Sequence, residues 1–262
     1  VRAVRLLFAA VVAAQVGYPL TPPAARAALV VVTVVAGFAL SVTHAAVTRG
    51  PAVAGTLVAV TGLGGLLVEV AGVHTGVPFG SYAYTAALGP RLFGVPLVIP
   101  LAWTWMAWPA WLAAGRVRAA PVAARVTLAG VGLAAWDLFL DPRMVDQGYW
   151  RWYRPDPALP GVPGVPVGNY LGWLVVATAM MALLAAAARR LPGLAGDRGR
   201  ADLPMLLFYL WTYVSSVLAG AVFLGLPGAA AWTALGMAVP AVPLAVVLLR
   251  RPDRTAVPGG SR

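Results

Sequence analysis

The sequence predicts an all-α fold, a polytopic transmembrane helical bundle of about eight spans. Three observations predict it. Of 262 residues, 61% are hydrophobic and the mean hydropathy is +0.83, where soluble domains run at roughly 45–50% apolar. Charged residues supply only 10%, against about 25% in a soluble domain, too few to cover a water-facing surface. Apolar runs long enough for a spanning helix, about 20 residues, recur from one end of the chain to the other.

The first run, 3–20, follows Arg2 and Arg5 and contains Gln15 and Gly17. Further spans come after it, so it reads as a first transmembrane helix rather than a signal peptide. Runs 27–47 and 52–74 follow, then 93–113, which holds Trp103, Trp105, Trp108, Trp111 and Pro109. Runs 121–141 and 169–188 lead to a last pair, 203–225 and 229–249, joined by a tight turn at Pro227 and Gly228. Neither an internal repeat nor a composition shift divides the chain, so 1–262 reads as a single integral membrane domain.

All 19 basic residues are arginine, against 8 acidic ones, a net charge of +11. They sit mainly in the short gaps between apolar runs, where topology rather than nucleic-acid binding accounts for them. Eight spans place 14 on one side: Arg2, Arg5, Arg49, Arg116, Arg118, Arg125, Arg189, Arg190, Arg198, Arg200, Arg250, Arg251, Arg254 and Arg262. The other side receives 5: Arg26, Arg91, Arg143, Arg151 and Arg154. The positive-inside rule then puts both termini in the cytoplasm of a multi-pass cell-membrane protein. The chain has no cysteine, which excludes disulfides, thiol nucleophiles and cysteine-ligated metal.

Two longer connections, roughly 75–92 and 142–168, fall on the arginine-poor side. Both mix aromatics with glycine and proline, a composition suited to a re-entrant loop that protein shields from lipid.

Ionisable residues inside spans are costly and usually face the bundle interior, which makes Glu69, Asp137 and Asp141 informative. Asp137 and Asp141 are four residues apart, so both lie on one helix face, about 6 Å apart along the axis. Topology places Glu69 at the same depth. Three adjacent carboxyl groups in low dielectric cannot all ionise together, which sets a proton donor beside an acceptor, as acid–base chemistry needs. The alternative is that they cap helices, pair with Arg91 or Arg143, or face water; Asp141, immediately before Pro142, can mark a helix end. His74 is near enough to tune the cluster. His44 lies at the opposite depth and reads as a buried, hydrogen-bonded histidine, so no shared histidine metal site is expected. Many tryptophans and tyrosines, including the 149–153 group, fit an interfacial belt, but Trp103, Trp105 and Trp108 approach mid-membrane, where aromatic faces can line an apolar groove or stabilise a cation.

Three segments together resemble the carotenoid-biosynthesis membrane family, which includes carotenoid 1,2-hydratases and bisanhydrobacterioruberin hydratases. They are the stretch from Glu69 and His74 through PFGSYAYTAALGPRLFGVPLVIPLAWTWMAWPAW, the block DLFLDPRMVDQGYWRW from Asp137, and VPVGNYLGW ending at Trp173. Tyr170 stands where the family pattern suggests phenylalanine. The resemblance implies acid-catalysed addition of water to the terminal 1,2 C=C bond of an acyclic C40 or C50 carotenoid, without a cofactor or metal. It implies Glu69, Asp137 and Asp141 as catalytic groups, with Asp137 or Glu69 as acid and Asp141 handling water. Tyr82, Tyr84, Trp103, Trp136, Asn169, Trp173 and His74 would then contact substrate. The partners implied are the carotenoid, the lipid bilayer and other enzymes of the pathway. A non-enzymatic carotenoid carrier or pathway scaffold is the alternative, and a proton-relay transporter a third reading.

Overall fold

The computed structural model describes residues 2–117 and 121–250. Arg118, Arg251, Arg254 and Arg262 of the topology count lie outside the described residues. Eight long helices are present among the described residues: α1 Arg2–Gly17, α2 Pro23–Arg49, α3 Pro51–Thr75, α4 Val98–Val117, α5 Val122–Asp146, α6 Val167–Ala187, α7 Leu203–Phe223 and α8 Pro227–Leu249. Number and order agree with the expected spans. Seven are long and apolar enough to cross a membrane, α1 together with the helical turn that follows it to Leu20, with mean hydropathy between 1.4 and 2.1. The exception is α4, whose four tryptophans and two prolines lower its hydropathy. It tolerates them because it faces protein: every residue from Ala102 to Ala114 is buried. α2, α5, α7 and α8 pack around it, and α6 covers α5.

Two boundaries differ from expectation. α4 begins at Val98 rather than 93, because Phe93 and Gly94 both take positive φ (50° and 87°) in a turn between two short strands. α5 does not stop at Asp141 but continues through Pro142 to Asp146. Proline removes one backbone donor and strains the preceding turn, yet burial of Pro142 and Met144 holds the helix on course. It ends at Gly148, whose φ of 69° a side chain would disfavour.

The two long connections fold together as a joint lid. Strand β1, Tyr82–Tyr84, pairs antiparallel with β4, Trp150–Trp152. Arg91–Leu92 (β2) pairs with Val95–Pro96 (β3), and Ala158–Leu159 (β5) with Val162–Pro166 (β6). The Trp152 indole N–H donates to the Phe79 carbonyl at 2.8 Å, which ties the strand pair to the segment leaving α3.

The opposite, arginine-rich end is closed by polar clamps. Arg49 Nη2 lies 2.7 Å from the Asp202 carboxylate, and Arg125 stacks 3.7 Å over the Trp111 ring while donating to the carbonyls of Ala195 and Leu194. His44 Nδ1 accepts from the Trp108 indole at 3.0 Å, so its Nε2–H donates to the Ala201 carbonyl at 2.9 Å. These contacts bind the connection between α6 and α7 to the helix ends and leave His44 a structural role.

α5 and α6 come close at Gly130, where a Cβ would lie within 2.9 Å of the Thr178 Cα. Gly130→Leu is therefore expected to destabilise the α5–α6 contact by about 1–3 kcal/mol, seen as a lower thermal midpoint in detergent. A midpoint at or above that of the parent would show that the helices are not packed this tightly.

Candidate active site

At the lidded end, three helices and the lid bring together the carboxyl groups that the sequence singled out. Glu69 projects from α3, Asp137 and Asp141 from α5, and Asn169 from the first turn of α6; all four are buried. Glu69 is matched on both oxygens. Tyr82 Oη donates to Oε2 at 2.6 Å, Tyr84 Oη to the same oxygen at 2.7 Å, and Trp103 Nε1 to Oε1 at 3.1 Å. Three donors from outside its own helix thus satisfy this buried carboxyl group.

The aspartates are arranged differently. Asn169 Nδ2 donates to Asp137 Oδ2 at 2.9 Å and to Asp141 Oδ2 at 2.5 Å. The two carboxyl groups lie one helical turn apart on the same face of α5, bridged by this one amide. Asp137 Oδ1 has no hydrogen-bond partner among the described residues. Neither aspartate pairs with an arginine: Arg91 is exposed, and Arg143 stacks on the Tyr18 ring at 3.8 Å.

Between the two carboxyl centres lies a chamber of about 380 Å³ including its mouth, lined by Glu69, Asp141 and Asn169 on its polar side. Its other walls are mainly aromatic, with Ile99, Ala102 and Leu140 between the rings. Trp103 and Trp173 stack at 3.8 Å and 11°, and Phe79 packs against both. The lid contributes Tyr82 over Trp152 and Tyr84 edge-on to Trp150, each pair 5.4–5.6 Å between centroids. Gly72 allows this approach, since a Cβ there would come within 2.7 Å of Tyr82 Oη.

Of the expected site residues, Glu69, Asp141, Tyr82, Tyr84, Trp103, Asn169 and Trp173 face this chamber, with Asp137 directly behind Asp141. Two do not. His74 is exposed: five residues beyond Glu69, it leaves α3 on a different face. Trp136 precedes Asp137, so it points away around α5, lines a neighbouring cavity and packs edge-on against Trp105. Phe79, Trp150 and Trp152 line the chamber without having been singled out. Their signal was the alternation Tyr-Ala-Tyr and Trp-Arg-Trp, which in a strand puts both aromatics on one face; an interfacial belt accounts equally well for such residues in isolation.

Three comparisons bear on this site. The family model described as carotenoid biosynthesis protein matches residues 23–243. The chain belongs to the carotenoid biosynthesis protein family. That match takes in α2 to α7, the lid, most of α8 and every chamber residue. Among curated relatives, the chain is similar to a bisanhydrobacterioruberin hydratase of Haloarcula japonica, 39% identical over 114 residues. That stretch is 41% of this chain and spans 36% of the relative's length. No solved structure matches the chain.

Burial, followed by the adjacent Glu69 charge, pushes the Tyr82 and Tyr84 phenols above their ordinary value. For an acid, an upward shift means that the protonated donor persists as pH rises. In an alkaline titration followed by tyrosinate absorbance, the Tyr82→Phe/Tyr84→Phe double variant should lose no amplitude below about pH 11, one unit above the free phenol. Loss of two tyrosines' worth of signal below that pH would place both phenols in water.

Proposed function

We propose that this protein hydrates the terminal 1,2 C=C bond of an acyclic carotenoid end group, C40 or C50, by acid-catalysed addition of water without a cofactor. The observation that carries the reading is the chamber itself: an aspartate pair bridged by one amide, facing a triply hydrogen-bonded carboxyl group, under largely aromatic walls. Family membership and the name of the Haloarcula relative support the same chemistry. On this reading the whole chain works as one membrane domain whose substrate comes from the bilayer, within reach of other enzymes of the pathway.

The geometry favours a division of roles that differs from the one expected from sequence. Asp141 borders the chamber, so it is the acid, and Asp137 behind it donates a hydrogen bond that makes Asp141 a stronger one. The Asp141 proton goes to C2, and the alkene π pair forms the new C–H bond. C1 becomes a tertiary cation, stabilised by the Glu69 anion and by the faces of Trp103, Trp150 and Tyr84. Water adds through oxygen to C1. The resulting oxonium ion is a far stronger acid than any carboxylic acid, so even Glu69, weakened as a base by three donors, takes its proton. The net change is one water added, and one proton passes back from Glu69 to Asp141 to reset the site. Asn169 holds the Asp141 carboxylate once its proton has left.

In a carotenoid-producing host, wild-type protein should give pigment heavier by one water. Asp141→Asn and Glu69→Gln should each lower that product by about 10²–10⁴-fold, and Tyr82→Phe, which removes one donor to a charged group, by roughly 10- to 100-fold. Undiminished product from Asp141→Asn would remove it from the acid role. Pigment carried without any mass change would favour a carrier.

The arginine bias supports a lid on the extracytoplasmic side, with both termini in the cytoplasm. The cysteine-free chain makes this testable. Leu92→Cys and Tyr153→Cys, both exposed in the lid, should react with a membrane-impermeant maleimide on intact cells, and Arg189→Cys should not. The opposite pattern would invert the topology.

A further inference from the structure

A second cavity, about 870 Å³ including its mouth, adjoins the acid chamber. Ile99, Ala102, Leu140 and Trp150 line both spaces. On α4, Trp103 turns to the acid chamber and Trp105 to the larger cavity, and Ala102 stands between them at the divide. A large side chain at that position would wall one space off from the other.

The larger cavity is enclosed by α1, α2, α4, α5 and α7, and most of its surface is apolar or aromatic, with Val30, Val34, Trp105, Trp136 and Ala219 among its walls. Three buried polar atoms of its lining residues lack a partner among the described residues: the Trp105 indole N–H, the Tyr18 hydroxyl and the Arg143 Nε–H. Buried donors are normally satisfied, so a cavity edged by three idle ones calls for an occupant. A π face accepts weakly from N–H and O–H donors while remaining apolar. A conjugated hydrocarbon chain meets both demands, whereas a saturated acyl chain leaves the donors idle. The acid chamber, at about 380 Å³, has room for an end group but not for a long rigid polyene behind it.

We infer that the larger cavity is the binding site for the conjugated chain of the substrate, and that the gap bounded by Ile99, Ala102, Leu140 and Trp150 is the aperture through which its end group reaches Asp141. The role of the aperture rests on the hydration reading; the polyene site does not. Chain length is then sensed here, by how much rigid polyene the cavity accepts, while the acid chamber reads only the dimethyl-terminated double bond.

The test fills the cavity far from the acid chamber. Val34→Trp on α2 and Ala219→Trp on α7 enter it from different helices, and Val35→Trp and Leu218→Trp, at adjacent exposed positions, serve as controls. Each protein is purified from a lycopene-producing host and assayed for retained pigment by visible absorbance. Each is also assayed for hydration of lycopene and of 2-methylhept-2-ene, a short alkene with the same end. Val34→Trp and Ala219→Trp should lose at least about tenfold of the retained pigment, and of the long-to-short hydration ratio, with both controls and Asp141→Asn retaining pigment. Pigment retained at the wild-type level in the two cavity variants, or no pigment retained by wild type, overturns the inference. Equal loss on both alkenes also overturns it, since the cavity would then only support the fold. Pigment that is retained by wild type and lost in both cavity variants, with no hydration of either alkene, upholds the polyene site and removes the reaction.

Discussion

A carboxylate buried in a lipid-facing helical bundle needs donors that its own helix cannot supply, and the structure is organised around meeting that need for Glu69. Backbone N–H groups in mid-helix are already engaged, so the donors come from elsewhere: two phenols from the lid and one indole from α4. The lid must therefore reach down onto α3, and Gly72 leaves the space for it. Pairing of Tyr82–Tyr84 with Trp150–Trp152 then fixes both tyrosines at once, because residues of the same parity share one face. Holding one carboxyl group in place thus ties together two connections more than sixty positions apart.

The two ends of the bundle use charge in opposite ways. At the arginine-rich end Arg49 meets Asp202, and Arg125 lies on Trp111 and two carbonyls. Both of these cations have partners, and the effect is to hold a connection against helix ends. At the lidded end the aspartates have no cation beside them and share a single amide donor, Asn169. A carboxyl group paired with a cation holds two segments together, whereas the aspartates are left to a neutral amide. This difference in partners sets the two ends of the bundle apart.

α4 connects the two. Three of its tryptophans lie too deep for an interfacial belt, and each of the four has a distinct contact. Trp103 donates to Glu69, Trp105 borders the larger cavity, Trp108 donates to His44, and Trp111 donates to the Leu194 carbonyl. A helix wholly enclosed by protein can carry such amphipathic side chains at depths where lipid would not favour them.

The sequence by itself determined the number and order of the helices, because a span must be long and apolar whatever surrounds it. It also determined the candidacy of Glu69, Asp137 and Asp141, because ionisable groups at membrane depth are too costly to be incidental, and the i, i+4 spacing put both aspartates on one face. The tertiary structure decided which groups meet. His74 was excluded and Trp136 turned to the neighbouring cavity by helix rotation, an angular matter that an apolar background does not encode. Trp150, Trp152 and Phe79 entered the site through strand pairing between distant connections, and α5 ran on past Pro142 because packing outweighed a local stop signal. Only the fold could show that Glu69 is held by three donors while the aspartates share one amide, since hydrogen-bond partners from four separate segments become neighbours only once the chain is packed.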